Sequence, residues 1–187
     1  MDKFFQVTSQ FTHLSTDAKE ALASIAKKLE LPKGHILVKE NTVCNNLYFV
    51  EEGLTRTYYY KDGKDITDWI SPENTFAVSI LSLISRKPDR RIIELLEPCI
   101  LYSFPYDKLE ELYSKFHEIE KLGRLLISSG LVQLQQKFDD MHFTTAAQRY
   151  QTLMETNPSF LLRVPLGIIA SYLGMTQETL SRIRSQV

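Results

Sequence analysis

The side chains best suited to recognise another molecule lie near the end of the chain. Between positions 177 and 185 they are Gln177, Glu178, Ser181, Arg182 and Ser185. In a helix this spacing places them on one side, because residues three or four positions apart are neighbours. Arginine pairs with the edge of guanine, glutamine pairs with adenine, and glutamate accepts a hydrogen bond from cytosine. The segment therefore has the donors and acceptors needed to read base edges.

The residues around this polar side have the spacing of a helix-turn-helix. Ala170 is the small residue that lets a second helix cross the first, and Gly174, four positions later, suits a tight turn with positive φ. Thr176 is a natural N-cap for the second helix, and Pro165 suits the start of the first. The apolar residues expected to face the shared core are Ile169, Leu173, Met175, Leu180 and Ile183. The motif is predicted over about 165–185.

In this motif the beginning of the second helix enters the major groove. The residues predicted to read bases are Gln177, Glu178, Ser181 and Arg182. The residues predicted to contact phosphates are Thr176, Arg184 and Arg163. The net charge of −1 provides no general attraction to nucleic acid, so affinity would depend on two copies binding together. An ordinary helical hairpin with a solvated outer side is the alternative.

Upstream of the motif the pattern is helical from position 107 onward. Shorter helices predicted over Asp107–Ser114 and Ala146–Glu155 flank a long one from His117 to about Asp140. Gly123 and Gly130 lie on the same side of the long helix. Because glycine in a helix interior costs about 1 kcal/mol relative to alanine, we expect another helix to pack closely there. Our hypothesis is a subunit interface along this helix, and packing within the chain against the β-rich half is the alternative.

The first half of the chain has the pattern of short antiparallel strands. The predicted strands are His35–Lys39, Leu47–Val50, Leu54–Tyr60, Ile66–Ile70, Arg91–Leu96 and Ile100–Phe104. Asp62-Gly63 predicts a hairpin turn, and Leu81–Ser85 a helical turn. A helix over Asp17–Leu29 is predicted to begin after Ser15 and to end before Pro32. Strands at intervals of about ten residues indicate a barrel or roll, which makes the fold class α+β.

The C-terminal segment is similar to a known family. Thr176-Gln177-Glu178-Thr179-Leu180-Ser181-Arg182 resembles the recognition helix of Crp–Fnr regulators, whose pattern is roughly Thr/Ser-x-Glu-Thr-Val/Leu-Ser-Arg. Leu31-Pro32-Lys33-Gly34, the segment 47–53 and Lys61-Asp62-Gly63-Lys64 resemble the family's β-roll. The closing run from Arg149 to Arg184 resembles the short members found in Bacteroidetes-type bacteria.

This resemblance implies an N-terminal antiparallel β-roll, a double-stranded β-helix of the cyclic-nucleotide-binding type, at 1–115. A dimerisation helix would follow at 116–140 and a helix-turn-helix domain at 141–187. It implies a homodimeric transcription regulator with double-stranded DNA and RNA polymerase as partners. We expect a cytoplasmic location for a separate reason: the first residues lack a signal-peptide pattern, and the two cysteines indicate free thiols in a reducing compartment. The alternative is an effector-sensing or protein-interaction module that binds another small anionic ligand, with DNA binding weak or lost.

The ligand pocket departs from the family pattern. Cyclic-nucleotide binders have a Phe-Gly-Glu-Leu stretch and later an Arg followed by Ser or Thr, whereas Phe76-Ala77-Val78-Ser79-Ile80 lacks both Gly and Glu and Ile92 follows Arg91. A buried phosphate without its charge partner would be costly, so we do not expect cyclic AMP to be the effector. The candidate pocket residues are Phe76, Ser79, Arg90 and Arg91; a solvated loop around the arginines is the alternative.

Other chemistry has little support in the sequence. Cys44 and Cys99 lie in strand-like segments and are expected to be buried free thiols, and two cysteines cannot hold a four-thiolate cluster. No metal or cofactor is predicted. The sequence has no glycine-rich phosphate loop and no Gly-x-Ser-x-Gly elbow, so we do not expect an enzyme. No stretch approaches the ~18 apolar residues of a membrane span.

Overall fold

The computed structural model describes residues 1–185. Its helices are α1 (Asp2–Thr8), α2 (Thr16–Ile25), α3 (Ile80–Ser85), α4 (Tyr106–Tyr113), α5 (His117–Phe143), α6 (Ala146–Thr156), α7 (Phe160–Arg163), α8 (Leu166–Tyr172) and α9 (Gln177–Arg184). Its strands are β1 (Lys27–Leu31), β2 (Ile36–Val38), β3 (Asn46–Glu52), β4 (Thr55–Lys61), β5 (Lys64–Ser71), β6 (Phe76–Ala77), β7 (Ile92–Leu95) and β8 (Cys99–Pro105).

Strands β1 to β8 form the antiparallel roll that the sequence pattern predicts. One sheet has the order β1-β8-β3-β6 and the other the order β2-β7-β4-β5. A buried cluster joins them and includes Val50 and Leu101 from the first sheet and Ile93 from the second. The hairpin turn between β4 and β5 is confirmed, because Asp62 and Gly63 have φ values of 52° and 74°, as a type I′ turn requires.

The predicted helix over Asp17–Leu29 is wrong over its last four residues, 26–29. α2 does begin after Ser15, whose Oγ accepts a hydrogen bond from the N–H of Ala18 at 3.2 Å. Residues Lys27–Leu31, however, form β1, which pairs antiparallel with β8. Ladder hydrogen bonds with β8 satisfy the backbone of this segment, and this tertiary pairing overrides its helical spacing. Pro32 therefore follows a strand and does not end a helix.

The long helix α5 is anchored to the roll mainly near its beginning. Ile119 and Leu122 are buried in a cluster with residues of α1, α2 and α4. Farther along, an apolar stripe stays 40–65% exposed. We call it the α5 stripe, and it consists of Ile127, Leu131, Leu134, Phe138 and Met141. These residues recur alternately four and three positions apart, which is the spacing of a seam between two helices.

The two glycines of α5 have different surroundings. A methyl group on Gly123 would lie 2.8 Å from Oη of Tyr113 in α4, whereas nothing lies within 4 Å of the same position on Gly130. Close packing within the chain therefore accounts for Gly123, but the partner is helix α4 and not a strand of the roll. Gly130 faces open space in the single chain.

The C-terminal helices pack directly on the roll. Leu54, Ile70 and Leu96 of the roll lie in one buried cluster with Ile169 of α8 and Leu180 of α9. Burial of apolar surface on both sides of this contact stabilises it. The contact also determines which side of α8 and α9 can face solvent.

The described residues offer neither a reactive thiol nor a metal-binding cluster. Cys44 and Cys99 are buried and unpaired. Burial raises the pKa of both thiols, that of Cys99 to about 11, so they are protonated and weakly nucleophilic at neutral pH. Within positions 1–185, no three His, Cys, Asp or Glu side chains are grouped so as to hold a metal ion. Over the same range, no helix combines the length and apolar character needed to cross a membrane.

We predict that Gly123→Ala lowers the free energy of unfolding by about 1–3 kcal/mol, because the added methyl group must displace a packed ring. Gly130→Ala is the matched control on the same helix. It should raise the free energy of unfolding by about 0.5–1 kcal/mol, since alanine is the better helix former. Urea-induced unfolding of both variants at one protein concentration measures the difference. Equal effects would contradict the assignment of Tyr113 as the neighbour that requires a glycine.

Candidate nucleic-acid interface

Helices α8 and α9 form the predicted helix-turn-helix. Gly174 has a φ of +65°, a conformation that glycine adopts without steric cost. The N–H groups of Gly174 and Met175 donate to the carbonyl oxygens of Ser171 and Ala170 at 3.0 and 2.9 Å. Ala170 is 2% exposed, so its small side chain lies in the packed part of the motif. The turn geometry expected from Ala170 and Gly174 is confirmed.

One side of the motif is buried, and this sets the rotation of α9 about its own axis. Ile169, Leu173, Leu180 and Ile183 are at most 8% exposed. All four were expected to face the shared core. Because Leu180 and Ile183 point inward, the opposite side of α9 has to face outward.

The first turn of α9 is capped as the sequence predicts. Oγ1 of Thr176 accepts a hydrogen bond from the N–H of Thr179 at 3.2 Å. Hydrogen bonds from the backbone N–H of Glu178 and from Thr176, together with the charge of Lys64, lower the pKa of the Glu178 carboxyl group. The carboxylate is therefore ionised at neutral pH and can act as an acceptor.

The outward side of α9 carries the polar residues expected to read bases. We call them the reading face, and they are Gln177, Glu178, Ser181 and Arg182, all exposed. With Leu166 and Ser185 they line an open, shallow groove. Thr176 and Arg184, predicted to contact phosphates, are also exposed at the two ends of α9. The structure thus brings six of the seven predicted residues together on one helix.

Arg163, the seventh, is engaged by the roll. Its guanidinium donates to Glu73 at 3.1 Å and to Glu97 at 3.2 Å. These hydrogen bonds, first those with Glu97, raise the pKa of Arg163 further. Since both carboxylates already occupy its donors, Arg163 joins α7 to the roll and is not poised to bind a phosphate.

Two further side chains orient the motif relative to the roll. Oγ of Ser171 accepts a hydrogen bond from the N–H of Thr67 in β5 at 2.8 Å. Nζ of Lys137 in α5 donates to the carbonyl oxygen of Asp68 at 2.5 Å and lies 3.8 Å from the ring centre of Tyr172. Burial lowers the pKa of Lys137 to about 8. These contacts connect β5, α5 and α8 at one point.

Arg149 performs a similar task within the C-terminal helices. Its guanidinium donates to the carbonyl oxygens of Leu173 at 2.8 Å and Thr144 at 2.6 Å. No role for Arg149, Lys137 or Ser171 could be predicted from the sequence. Their partners are mostly backbone groups, which every residue has, so the sequence does not reveal them. The carbonyl group that binds Lys137 also lies 69 positions earlier in the chain.

The four candidate pocket residues do not line one cavity. Phe76 packs against Phe49, with ring centres 5.4 Å apart, in an aromatic cluster of the core. The guanidinium of Arg90 lies over the ring of Tyr59 at 4.6 Å. Ser79 and Arg91 do come together, because both bond to the carboxylate of Asp89.

The chain has recognisable relatives. Residues 28–116 match the model of the cyclic nucleotide-binding domain. The anaerobic regulatory protein of Haemophilus influenzae is 23% identical over 172 residues, covering 85% of this chain and 66% of that protein. Its counterpart in Pasteurella multocida is 24% identical over 172 residues, covering 85% of this chain and 62% of that protein. The chain thus spans just under two thirds of the length of these curated relatives.

Solved structures share the fold. FixK2 from Bradyrhizobium japonicum has a TM-score of 0.73 at 21% identity, covering 87% of this chain and 84% of that one. A putative regulator of the Crp/Fnr family from Eubacterium rectale has a TM-score of 0.71 at 18% identity, covering 92% and 83%. The global regulator CLP of Xanthomonas campestris, described as responsive to c-di-GMP, also has a TM-score of 0.71, at 16% identity, covering 92% and 91%.

The domain match, the curated relatives and the shared fold agree with the resemblance seen in the recognition helix and the roll: residues 28–116 match the cyclic nucleotide-binding domain, and the chain is similar over most of its length to regulators of the Crp–Fnr type.

Proposed function

We propose that this chain is a sequence-specific DNA-binding transcription regulator of the Crp–Fnr type. One observation carries the proposal: α9 buries Leu180 and Ile183 and turns the reading face outward on an open surface. A helix presented in this way fits the major groove of B-form DNA, where the residues of its first turns meet base edges.

The proposed contacts fall into two groups. The reading face would hydrogen-bond to base edges, with Arg182 suited to guanine and Gln177 to adenine. Thr176 and Arg184, at the two ends of α9, would contact phosphates and set the position of the helix in the groove. Arg163 is left out of the phosphate group because Glu73 and Glu97 hold its guanidinium.

The proposed active form is a homodimer joined along α5. The α5 stripe has the seam spacing of paired helices and is exposed in the single chain. Two copies related by a twofold axis would place two α9 helices to read half-sites about 34 Å apart. In this arrangement positions 1–115 form the roll, 116–140 the dimerisation helix and 141–187 the DNA-binding part.

We propose further that cyclic AMP does not control this protein. The segment 76–80 has neither the Gly nor the Glu of a cyclic-nucleotide binder. Contact with RNA polymerase, which the resemblance implies, and a cytoplasmic location, which the sequence pattern indicates, stay predictions. Loss of DNA binding in the experiment below would favour the alternative of an effector-sensing or protein-interaction module.

Selection of bound sequences from random duplex DNA tests the reading face. Wild type should enrich a near-palindromic motif. Arg182→Ala and Gln177→Ala should each relax the preference at particular base positions, with a loss of about 1–3 kcal/mol of discrimination per lost bidentate contact. Arg184→Ala should instead weaken binding to all sequences and reduce the salt dependence by about one unit of slope.

Lys28→Ala, which removes an exposed positive charge from β1, is the control and should leave the motif and the salt dependence unchanged. If wild type enriches no motif, or if Arg182→Ala and Gln177→Ala enrich the same motif as wild type, the assignment of the reading face is wrong.

A charge in the α5 stripe tests the dimer. Leu131 is 65% exposed, so Leu131→Glu should leave the fold of the single chain intact while burying a carboxylate in the proposed seam. We expect a monomer in sedimentation equilibrium and a loss of DNA affinity of about 10²-fold or more. Gln136→Glu, on the opposite side of α5 and also exposed, adds the same charge and should remain dimeric. A dimeric Leu131→Glu protein would refute the proposed seam.

A further inference from the structure

A carboxylate lies at the point where donors of the candidate pocket converge. Asp89, in the loop before β7, is 9% exposed. Its Oδ2 accepts hydrogen bonds from Oγ of Ser79 at 2.6 Å and from Nη1 of Arg91 at 3.1 Å. Its Oδ1 accepts one from the N–H of Arg90 at 2.8 Å. Three of the predicted pocket residues, Ser79, Arg90 and Arg91, therefore donate hydrogen bonds to this carboxylate, and between them they reach both of its oxygens.

These donors form a site for an oxyanion. A hydroxyl, a main-chain N–H and a guanidinium are the groups that proteins use to hold carboxylates and phosphates. Ser79 has no exposed surface (0%), so without the carboxylate of Asp89 its hydroxyl would lose this partner. An unsatisfied buried hydroxyl is costly.

The charge of Asp89 is stable at neutral pH. Burial acts to raise the pKa of the Asp89 carboxyl group, but the hydrogen bonds from Ser79 and Arg91 and the positive charge of Arg91 outweigh it. The pKa therefore lies below its ordinary value. The site thus contains a permanent anion that belongs to the chain itself.

We propose that Asp89 is an internal anion. Its carboxylate fills the oxyanion-binding position of the roll, which would otherwise bind the acidic group of a small-molecule ligand. The proposal deepens the proposed function by explaining why a regulator of this fold would need no free oxyanion at this position. The donors and the carboxylate do not depend on DNA binding.

The internal anion is part of a continuous set of contacts that reaches the helix-turn-helix. Nε of Arg91 donates to Oδ2 of Asp68 at 2.6 Å. The carbonyl oxygen of the same Asp68 accepts the hydrogen bond from Lys137, which lies over the ring of Tyr172 in α8. The carboxylate of Asp89 therefore fixes the position of Arg91, whose guanidinium also binds Asp68 of β5, beside the C-terminal helices.

Rescue of a cavity variant by inorganic phosphate tests the proposal. Asp89→Ala removes the carboxylate and leaves its donors facing empty space. The loss of a buried, paired charge should lower Tm by about 6 °C or more. Saturating phosphate should then recover about 5 °C or more of this loss, because an anion that binds only the folded state stabilises it. Wild type at the same ionic strength, set with sodium chloride, should change by less than about 1 °C.

Two matched variants separate filling of the site from general salt effects. Asp89→Asn has the same size as the native side chain, so it should be destabilised without rescue. Asp65→Ala removes a more exposed carboxylate that pairs with Arg56 at 3.1 Å, and phosphate should not rescue it either. Formate in place of phosphate should also rescue Asp89→Ala, since the shared chemistry is that of an oxyanion.

Trp69, the chain's one tryptophan, reports the same event by fluorescence. It follows Asp68, and Nζ of Lys137 lies 5.4 Å from its ring centre. The emission of Asp89→Ala should differ from that of wild type and return toward it as phosphate is added, with the same midpoint as the rescue of Tm. An unchanged emission during thermal rescue would overturn the location of the bound anion.

Wild type provides a test that does not require any variant to fold. Calorimetric titration of wild type with phosphate or cyclic AMP should give no saturable heat. Saturable binding of either compound to wild type would overturn the proposal, as would rescue of Asp89→Asn to the same extent as Asp89→Ala. An Asp89→Ala protein that folds only in phosphate would support it. No assay here contains DNA, so failure of the internal anion is distinguishable from failure of the proposed regulator.

Discussion

Burial of helix α8 against strand β5 and its neighbours is the contact on which the rest of the structure depends. Ile169 and Ala170 are 1% and 2% exposed, and they share a core with Leu54 and Ile70 of the roll. Each fully buried Ile or Leu side chain contributes about 1.5–3 kcal/mol relative to the exposed state. Once α8 is packed in this way, the tight turn at Gly174 fixes the direction of α9, and the reading face points to solvent.

Apolar burial alone would not determine how the two parts are oriented, because it has no preferred direction. Directional contacts supply the orientation: Arg163 binds Glu73 and Glu97, and the hydroxyl of Ser171 binds the N–H of Thr67. A partly buried charge that lost its partner would be expensive. Any rotation of α9 relative to the roll must therefore break these contacts together, which makes the roll and the helix-turn-helix one mechanical unit.

The loop that carries Asp89 belongs to the same unit. The carboxylate holds Arg91, Arg91 holds Asp68, and the backbone of Asp68 binds Lys137 of α5. The loop that carries Asp89 and the surface on which α8 packs are thus joined through strand β5. The connection consists of hydrogen bonds and ion pairs made by Asp89, Arg91 and Lys137 with Asp68 between them.

The features that could be predicted from the sequence are those whose partners are near in the chain. The turn at Gly174, the cap at Thr176 and the hairpin at Asp62-Gly63 each depend on a few consecutive residues. The buried and exposed sides of α9 follow in the same way from the helical repeat. Most of the candidate interface was therefore visible before any coordinates.

The predictions that failed or stayed open concern partners that lie in other secondary-structure elements. Lys27–Leu31 became β1 because β8 supplies its hydrogen bonds, and Gly123 is explained by Tyr113 across a helix packing.

By itself, then, the sequence determined the local geometry of the helix-turn-helix, the strand-rich first half and the long helix that became α5, because periodicity and turn chemistry are properties of neighbouring residues. Only the tertiary structure decided that Arg163 bridges to the roll and that the carboxylate of Asp89 accepts hydrogen bonds from Ser79 and Arg91. Hydrogen bonds and ion pairs require atoms within about 3 Å, and only the folded chain brings Arg163 to a glutamate 90 positions earlier.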